Sequence, residues 1–474
     1  MKKNANVNHP YTQIALLAPL LVIIASSVRS EIIDNADAQT TLKLTLEKSI
    51  TQAQKSNLNI LSLEEKVKTA ETLVRAARAR LLPHVSVTSN YTYFKDLSRS
   101  VLEFGNGGFP TFPSVDGMGQ NGRDGTEQSV IEIEFGAHHN LQSTLGLRQP
   151  IFAWGRYFYA YQGAQLDLEA ARKELQSGIN QLSLDVSEAF HGVLLAQEFA
   201  NVAEQTVALV QEQLNMAQKK FNAGAVTNFD VLRAKVQLAN TKTQLIQARN
   251  RVDVAQHAFK NLLNIDLADE ILLTGNFELP ELSDLKLGAL IPLAKKNRPE
   301  IQQLEFSEAA GRKRLDSAKT ANLPDLSLFS NYQVDDNEKL TRMNRVWNVG
   351  VQINIPIFDG LATRAAVQQA KSGLKQVKLA KDQRIDFVEF EVRTAFLNLV
   401  QAKSSIDVQK ETVTQAEESM RIANLRYDNG MLTSVELTDA QLALAQAEVN
   451  HLQARHDFVV EFARLERAVG QPLR

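Results

Sequence analysis

Few side chains in this sequence have a type and spacing suited to covalent chemistry. There is no cysteine, which removes disulfides, thiolate metal sites, thiol catalysis and the acceptor for an N-terminal lipid anchor together. The eight histidines are scattered. Their one adjacent pair, His138-His139, stands beside a loop, where solvation is the plain reading and metal ligation the sharper one. Asp116 and Asp124 fall in a Gly-rich stretch without EF-hand spacing. No Walker A, HExxH or GxSxG pattern occurs, so the chain offers no phosphate cradle, zinc-activated water or nucleophile elbow. The sequence reads as that of a non-enzyme with no cofactor and no resident metal. What remains is carboxylate chemistry. Asp230 and Glu436 fall in the first turns of predicted helices, where negative charge suits the helix dipole, and Asp439 follows Glu436 by one helical turn.

Two turns position these acids. Residues 219–232 read KKFNAGAVTNFDVL and residues 425–438 read LRYDNGMLTSVELT. Gly430 stands where Gly224 stood, 206 positions on (430 − 224). Each glycine suits a helix C-terminus that needs positive φ, and Thr227 and Thr433 are placed to N-cap the helices that follow. The spacing persists elsewhere: Pro150-Ile151-Phe152 recurs as Pro356-Ile357-Phe358, and Gln247-Ala248-Arg249 as Gln453-Ala454-Arg455. Upstream, LLPHVSVTSNY at 81–91 resembles NLPDLSLFSNY at 322–332, now 241 positions on (324 − 83). The first half therefore carries an insertion, within the stretch EFGNGGFPTFPSVDGMGQNGRDGTEQ at 103–128, which reads as a long exposed loop.

No proline occurs from Ile151 to Ala223 or from Ile357 to Asn429. From Ile179 to Phe221 every position in alternating steps of three and four is apolar, and from Ile385 to Tyr427 only Gln409 breaks the pattern. A seam this long implies coiled-coil packing with a left-handed supercoil. About 65 residues at ~1.5 Å each give a helix on the order of 100 Å. Second helices are expected at about residues 228–264 and 434–469, so each unit is a helical hairpin with the glycine at its tip.

Beside the Pro landmarks the period changes to two. In VWNVGVQINI (346–355), Trp347, Val349, Val351, Ile353 and Ile355 alternate with Asn348, Gly350, Gln352 and Asn354. In LQSTLGLRQ (141–149), Leu141, Leu145 and Leu147 oppose Gln142, Thr144 and Arg148, while HVSVTSNYTY (84–93) and DLSLFSNYQV (325–334) behave alike. Four strands of about ten residues fit either two hairpins of a soluble sheet or a transmembrane barrel, apolar outward and polar inward. Tyr91, Tyr93, Tyr332 and Trp347 suit an aromatic girdle. Four strands cannot close alone in lipid, so the barrel reading requires oligomerisation. On that reading Arg148 either charges the pore or snorkels at the membrane boundary.

Composition agrees. The 474 residues hold only 22 Gly and 12 Pro, and 52 Lys plus Arg nearly balance 54 Asp plus Glu. No global basic field exists to attract nucleic acid. Lys2 and Lys3 precede the apolar run IALLAPLLVIIASSV at 14–28. It is shorter than the ~20 residues of a spanning helix and Pro19 interrupts it, so residues 1–27 read as a secretory signal, with a membrane anchor as the alternative.

The signal, the duplicated strand pairs and long hairpins, the PIF landmarks, and the twin tips FNAGAVTNFDVL and YDNGMLTSVELTDA together resemble the TolC-like outer-membrane efflux protein family. The resemblance covers about Thr41 to Pro472. It implies a mainly α fold with membrane β structure: a homotrimer whose four strands per chain close a 12-stranded outer-membrane β-barrel, continued by a periplasmic coiled-coil α-barrel. The expected organisation is a first repeat over 41–265, an inter-repeat linker and equatorial region over 266–299, and a second repeat over 300–474. It implies an exit duct in the Gram-negative outer membrane, in contact with its lipid and extending into the periplasm. The duct would serve a periplasmic adaptor and an inner-membrane transporter of RND or ABC type, in efflux or type I secretion. By position, Glu436 and Asp439 match acidic residues lining the entrance, and Asp230 and Tyr427 match a pair that latches neighbouring hairpins. Gly224, Thr227, Gly430 and Thr433 mark the tip turns where an adaptor docks. Leu432 and Phe229 depart from the family's latch, replacing a basic and a hydroxyl residue. Core packing is the other role open to Tyr427, and turn geometry alone to the glycines. The competing reading is a periplasmic adaptor with coiled-coil hairpins.

Overall fold

A computed structural model describes residues 42–104, 110–111, 130–135, 138–277, 279, 285–337 and 344–473. The expected signal at 1–27, together with Asp116 and Asp124, lies outside them. The first half runs β1 (Leu42–Leu44), α1 (Leu46–Ser56), α2 (Leu58–Ala79), β2 (His84–Tyr93), β3 (Ser98–Phe104), β4 (Pro110–Thr111), β5 (Val130–Phe135), β6 (His139–Phe152), α3 (Arg156–Asn222) and α4 (Asn228–Leu262). The second runs β7 (Ile271–Leu273), α5 (Leu287–Asn297), α6 (Pro299–Lys319), β8 (Asp325–Asn337), β9 (Asn344–Asn354), α7 (Ala362–Asp428) and α8 (Ser434–Val469).

The repeat read from the sequence is a repeat of structure. The helices α3 and α7 are each 67 residues long, about 100 Å at ~1.5 Å per residue. Each ends in a hairpin, α3 packing on α4 and α7 on α8, while α6 lies against both α3 and α7. Where sheet becomes helix, two successive residues take left-handed backbone: Trp154 (φ 50) and Gly155 (φ 80) in the first repeat, Gly360 (φ 65) and Leu361 (φ 68) in the second. The glycine has exchanged places. One side-chain-bearing residue thus sits in the strained region at each junction, costing about 1–2 kcal/mol.

The stretch expected as linker, 266–299, contains β7 and α5. Strand β7 pairs in parallel with β1, and α5, like α1, is an 11-residue helix leading into a longer one. Two apolar cores form where these short helices cross the long hairpins. One gathers Ile60, Val186, Phe190, Val193, Phe259 and Leu263; the other gathers Leu290, Ile301, Val388, Leu399, Phe458 and Leu465.

Strands β2, β6, β8 and β9 form one antiparallel sheet in that order. They are 10, 14, 13 and 11 residues long. The β6–β8 ladder joins the repeats, and its register decides the character of the faces. Val87 pairs with Leu145, Leu145 with Tyr332, and Tyr332 with Trp347. Directly paired residues point to the same side, so the apolar sets of all four strands fall on one face. The other face carries Ser86, Thr88, Gln142, Thr144, Asn331, Asn348 and Gln352. Among the described residues no other layer covers the apolar face: Val87 and Trp347 are each 72% exposed. Strands β2 and β9 end the sheet with no further partner among the described residues.

The Gly-rich insertion differs from expectation at its margins. Glu103 and Phe104 belong to β3, and Pro110–Thr111 forms β4, in a separate sheet of order β4-β3-β5. The alternating VIEIEF of β5 supplies the pairing edge, a long-range partner that local composition does not reveal.

Candidate functional site

Each hairpin tip is built by the same backbone device. Gly224 and Gly430 have φ of 76° and 73°. Around them the amide of Ala225 donates to the Lys220 carbonyl at 2.9 Å and that of Gly224 to Phe221 at 2.8 Å; Met431 donates to Arg426 at 2.8 Å and Gly430 to Tyr427 at 3.1 Å. These paired bonds close the last helical turn as a Schellman motif. A side chain at either glycine would meet no neighbour, so backbone conformation alone calls for glycine there.

The next helices start in capping boxes. The Asp230 carboxylate accepts from the Thr227 amide at 3.0 Å and its hydroxyl at 2.8 Å, while the Thr227 hydroxyl receives the Asp230 amide. Glu436 and Thr433 repeat the arrangement at 2.9 and 2.7 Å. The Thr227 hydroxyl and amide hold the Asp230 carboxyl below its ordinary pKa. The Thr433 amide, then its hydroxyl, do the same for Glu436. Both acids are therefore fixed as anions at the tip, in orientations set by their own helix starts. Asp439 lies one turn beyond Glu436 and, like it, is exposed.

Between the two tips lies a cleft lined by Asp230 and Arg233 from α4, Tyr427 from α7, and Leu437, Asp439 and Leu442 from α8. The tertiary fold thus brings together three of the four acid and latch residues singled out in the sequence. No hydrogen bond between Asp230 and Tyr427 occurs among the described residues; the Asp230 oxygen is engaged by Thr227 instead. Tyr427 is buried against Met420, Ala423 and Leu437. Burial, then the charges of Asp230 and Asp428, push its hydroxyl above the ordinary tyrosine pKa. Lys220, which the sequence did not single out, holds its ammonium 3.8 Å from the Tyr427 ring centroid. That cation–π contact ties the end of α3 to the end of α7. Its only advance signal is that Lys220 shares its repeat position with another cation, Arg426; which ring it would meet depends on how the hairpins pack.

At the sheet, the rings of His138 and His139 pack beside Tyr91 and Tyr93. Nδ1 of His139 lies 2.6 Å from the Tyr91 hydroxyl, and Nδ1 of His138 lies 2.8 Å from the Phe94 carbonyl oxygen. Among the described residues no group of three metal-binding side chains assembles.

The chain matches the family model described as outer membrane efflux protein over residues 49–264 and 290–471. It is 26% identical over 336 residues to the alkaline protease secretion protein AprF of Pseudomonas aeruginosa, covering 69% of each chain. It is 23% identical over 424 residues to the outer membrane protein TolC of Escherichia coli, covering 84% of this chain and 76% of that one. Its fold matches the Campylobacter jejuni CmeC outer membrane channel with TM-score 0.73 at 18% identity, over 90% of this chain and 85% of that one.

Proposed function

The chain belongs to the outer membrane efflux protein family, and on that footing we propose that it works as a passive exit duct, three copies closing one barrel across the outer membrane and one helical tunnel below it. The observation that carries this reading is the sheet: four strands in a register that puts every apolar set on one face, with that face uncovered and both edges open among the described residues. In lipid an open edge leaves backbone groups unpaired at several kcal/mol each. Pairing β9 of one copy with β2 of the next satisfies them. The long helices support the same closure, since α4 and α7 leave apolar side chains such as Val236, Ile246, Phe390 and Leu397 exposed in the single chain. An adaptor has no use for a lipid-patterned sheet continuous with two hairpins.

In such a trimer Glu436 and Asp439 ring the entrance and select cations. The cleft holding Asp230 and Tyr427 holds neighbouring hairpins together, and the glycine turns with Thr227 and Thr433 offer the periplasmic adaptor its docking surface. The inner-membrane transporter supplies both energy and cargo. Relatives named for protease secretion place protein passengers beside small molecules as the classes to test.

The test is to purify the protein from detergent-extracted outer membranes, measure its detergent-corrected mass by light scattering and record conductance in planar bilayers. A trimer with a small, cation-selective conductance is expected; a water-soluble monomer without channel activity refutes the duct. Glu436→Ala with Asp439→Ala should weaken cation selectivity and divalent block, and Asp230→Ala or Tyr427→Phe should raise conductance. Wild-type behaviour in these variants would leave helix capping and core packing as the whole role of those side chains.

A further inference from the structure

We propose that Arg148, set beside His84, forms a cationic collar inside the barrel that binds carboxylate or phosphate groups of passing solutes. The inference rests on the duct reading above, which makes the polar face of the sheet the lumen. On that face Arg148 pairs directly with His84 on one side and with Phe329 on the other. An arginine set against a histidine is a poor cross-strand pair, where a carboxylate opposite would have stabilised it. Among the described residues Arg148 makes no ion pair. Asp325, the acid on the same face towards the Pro landmarks, stands four residues along β8 from Phe329, about 13 Å at ~3.3 Å per residue. It already accepts from the Asn354 amide at 3.0 Å.

The repeat sharpens the contrast. Asp325 and Asn354 occupy in the second repeat the positions that His84 and Arg148 occupy in the first, and they too are direct register partners. One unit thus carries a carboxylate engaged by an amide, and the other presents a guanidinium with no side-chain partner among the described residues. The surface around it is concave. A hollow of about 760 Å³ is lined by His84, Ser86, Gly146, Arg148, Asn331 and Gln352 among others. Phe329 also lines it, its ring lying so closely over Gly350 that a Cβ there would come within 2.7 Å. A planar cation with flanking hydroxyl and amide donors suits an oxyanion group. The duct then carries opposite charges in series: carboxylates at the tip and guanidinium groups at the base of the barrel.

Inorganic pyrophosphate added to the extracellular side of bilayer-inserted protein reaches the barrel without crossing the tip. It should block the wild type, and Arg148→Gln should weaken that block about tenfold, the loss expected for one charge-assisted hydrogen bond. Arg148→Lys should retain part of it. Because the chain has no cysteine, Arg148→Cys gives one reactive thiol per copy, and an impermeant thiol reagent should lower the channel's conductance. Equal block in wild type and Arg148→Gln, no block at all, or a labelled position without effect on conductance would overturn the collar while leaving the duct intact. Absence of any channel would overturn the duct and the collar with it.

Discussion

The junction between α5 and α6 offers a quantitative test of how the two repeats are held. Arg298 is 1% exposed and all three of its donor groups are used. Nε donates to Glu300 at 3.0 Å, Nη1 to the Arg467 carbonyl at 2.9 Å and Nη2 to Glu391 at 2.7 Å. Arg467 completes a balanced set by pairing with Glu391 and lying 3.6 Å from Glu300. Burial is the main influence against the Arg298 charge, and Glu300 is its largest compensation. Burial likewise opposes ionisation of Glu300, yet Arg298 and the other donors prevail and its carboxyl stays below its ordinary pKa. Arg298→Met keeps the bulk and removes the charge, leaving two carboxylates to share Arg467. Breaking a buried pair in this way costs about 3–5 kcal/mol. In the first repeat the equivalent joint is Asn57, whose side-chain amide donates to the Leu262 carbonyl at 3.1 Å and whose side-chain oxygen caps α2 by accepting from the Asn59 amide at 3.0 Å; Asn57→Ala removes both neutral hydrogen bonds, worth about 1 kcal/mol each.

The assay is amide hydrogen exchange in the assembled protein, read at the Arg298 amide, which donates to Ala294 at 3.0 Å, and at the Asn57 amide, which donates to Ala53 at 2.8 Å. Protection should fall on the order of 10²–10³-fold for Arg298→Met and about thirtyfold for Asn57→Ala. Adding Glu391→Gln to Arg298→Met restores charge balance and should recover part of the loss, a coupling within the range of about 0.5–3 kcal/mol seen for residues in one network. If the two junctions weaken equally, or if the second substitution adds to the first, uncompensated buried charge is not what holds this joint.

Two further outcomes follow from the same physics. Val349 and Asn348 are neighbours on β9 with opposite faces, so Val349→Arg should destabilise the barrel by about 2–4 kcal/mol near the bilayer midplane and reduce assembled protein in the outer membrane, while Asn348→Arg should assemble normally; equal yields would refute the assignment of faces. Glu308, 6% exposed, is held at a pKa of about 2, first by Lys381 and then by Arg312. Its folded value lies below the unfolded 4.5, so its contribution is complete above about pH 4.5 and is lost as pH falls through about 2. The stability difference between wild type and Glu308→Gln should therefore shrink across that acid range, and a difference independent of pH would refute the assignment.

The sequence alone determined those features that depend on near neighbours. Helix ends at Gly224 and Gly430, N-caps at Thr227 and Thr433, the 67-residue helices and the period of each strand follow from local backbone preference and side-chain periodicity. Internal repetition supplied a second, independent reading of each. Tertiary structure decided whatever depends on which segments meet. A period of two makes each strand two-faced, but only the β6–β8 register places four apolar sets on one side rather than dividing them between two. The ammonium of Lys220 over Tyr427 and the charge set around Arg298 join residues up to 207 positions apart, beyond the reach of any local pattern. The cation at Arg148 was visible in the sequence as a residue; its unpaired state follows from the register that set His84 and Phe329, and no carboxylate, beside it.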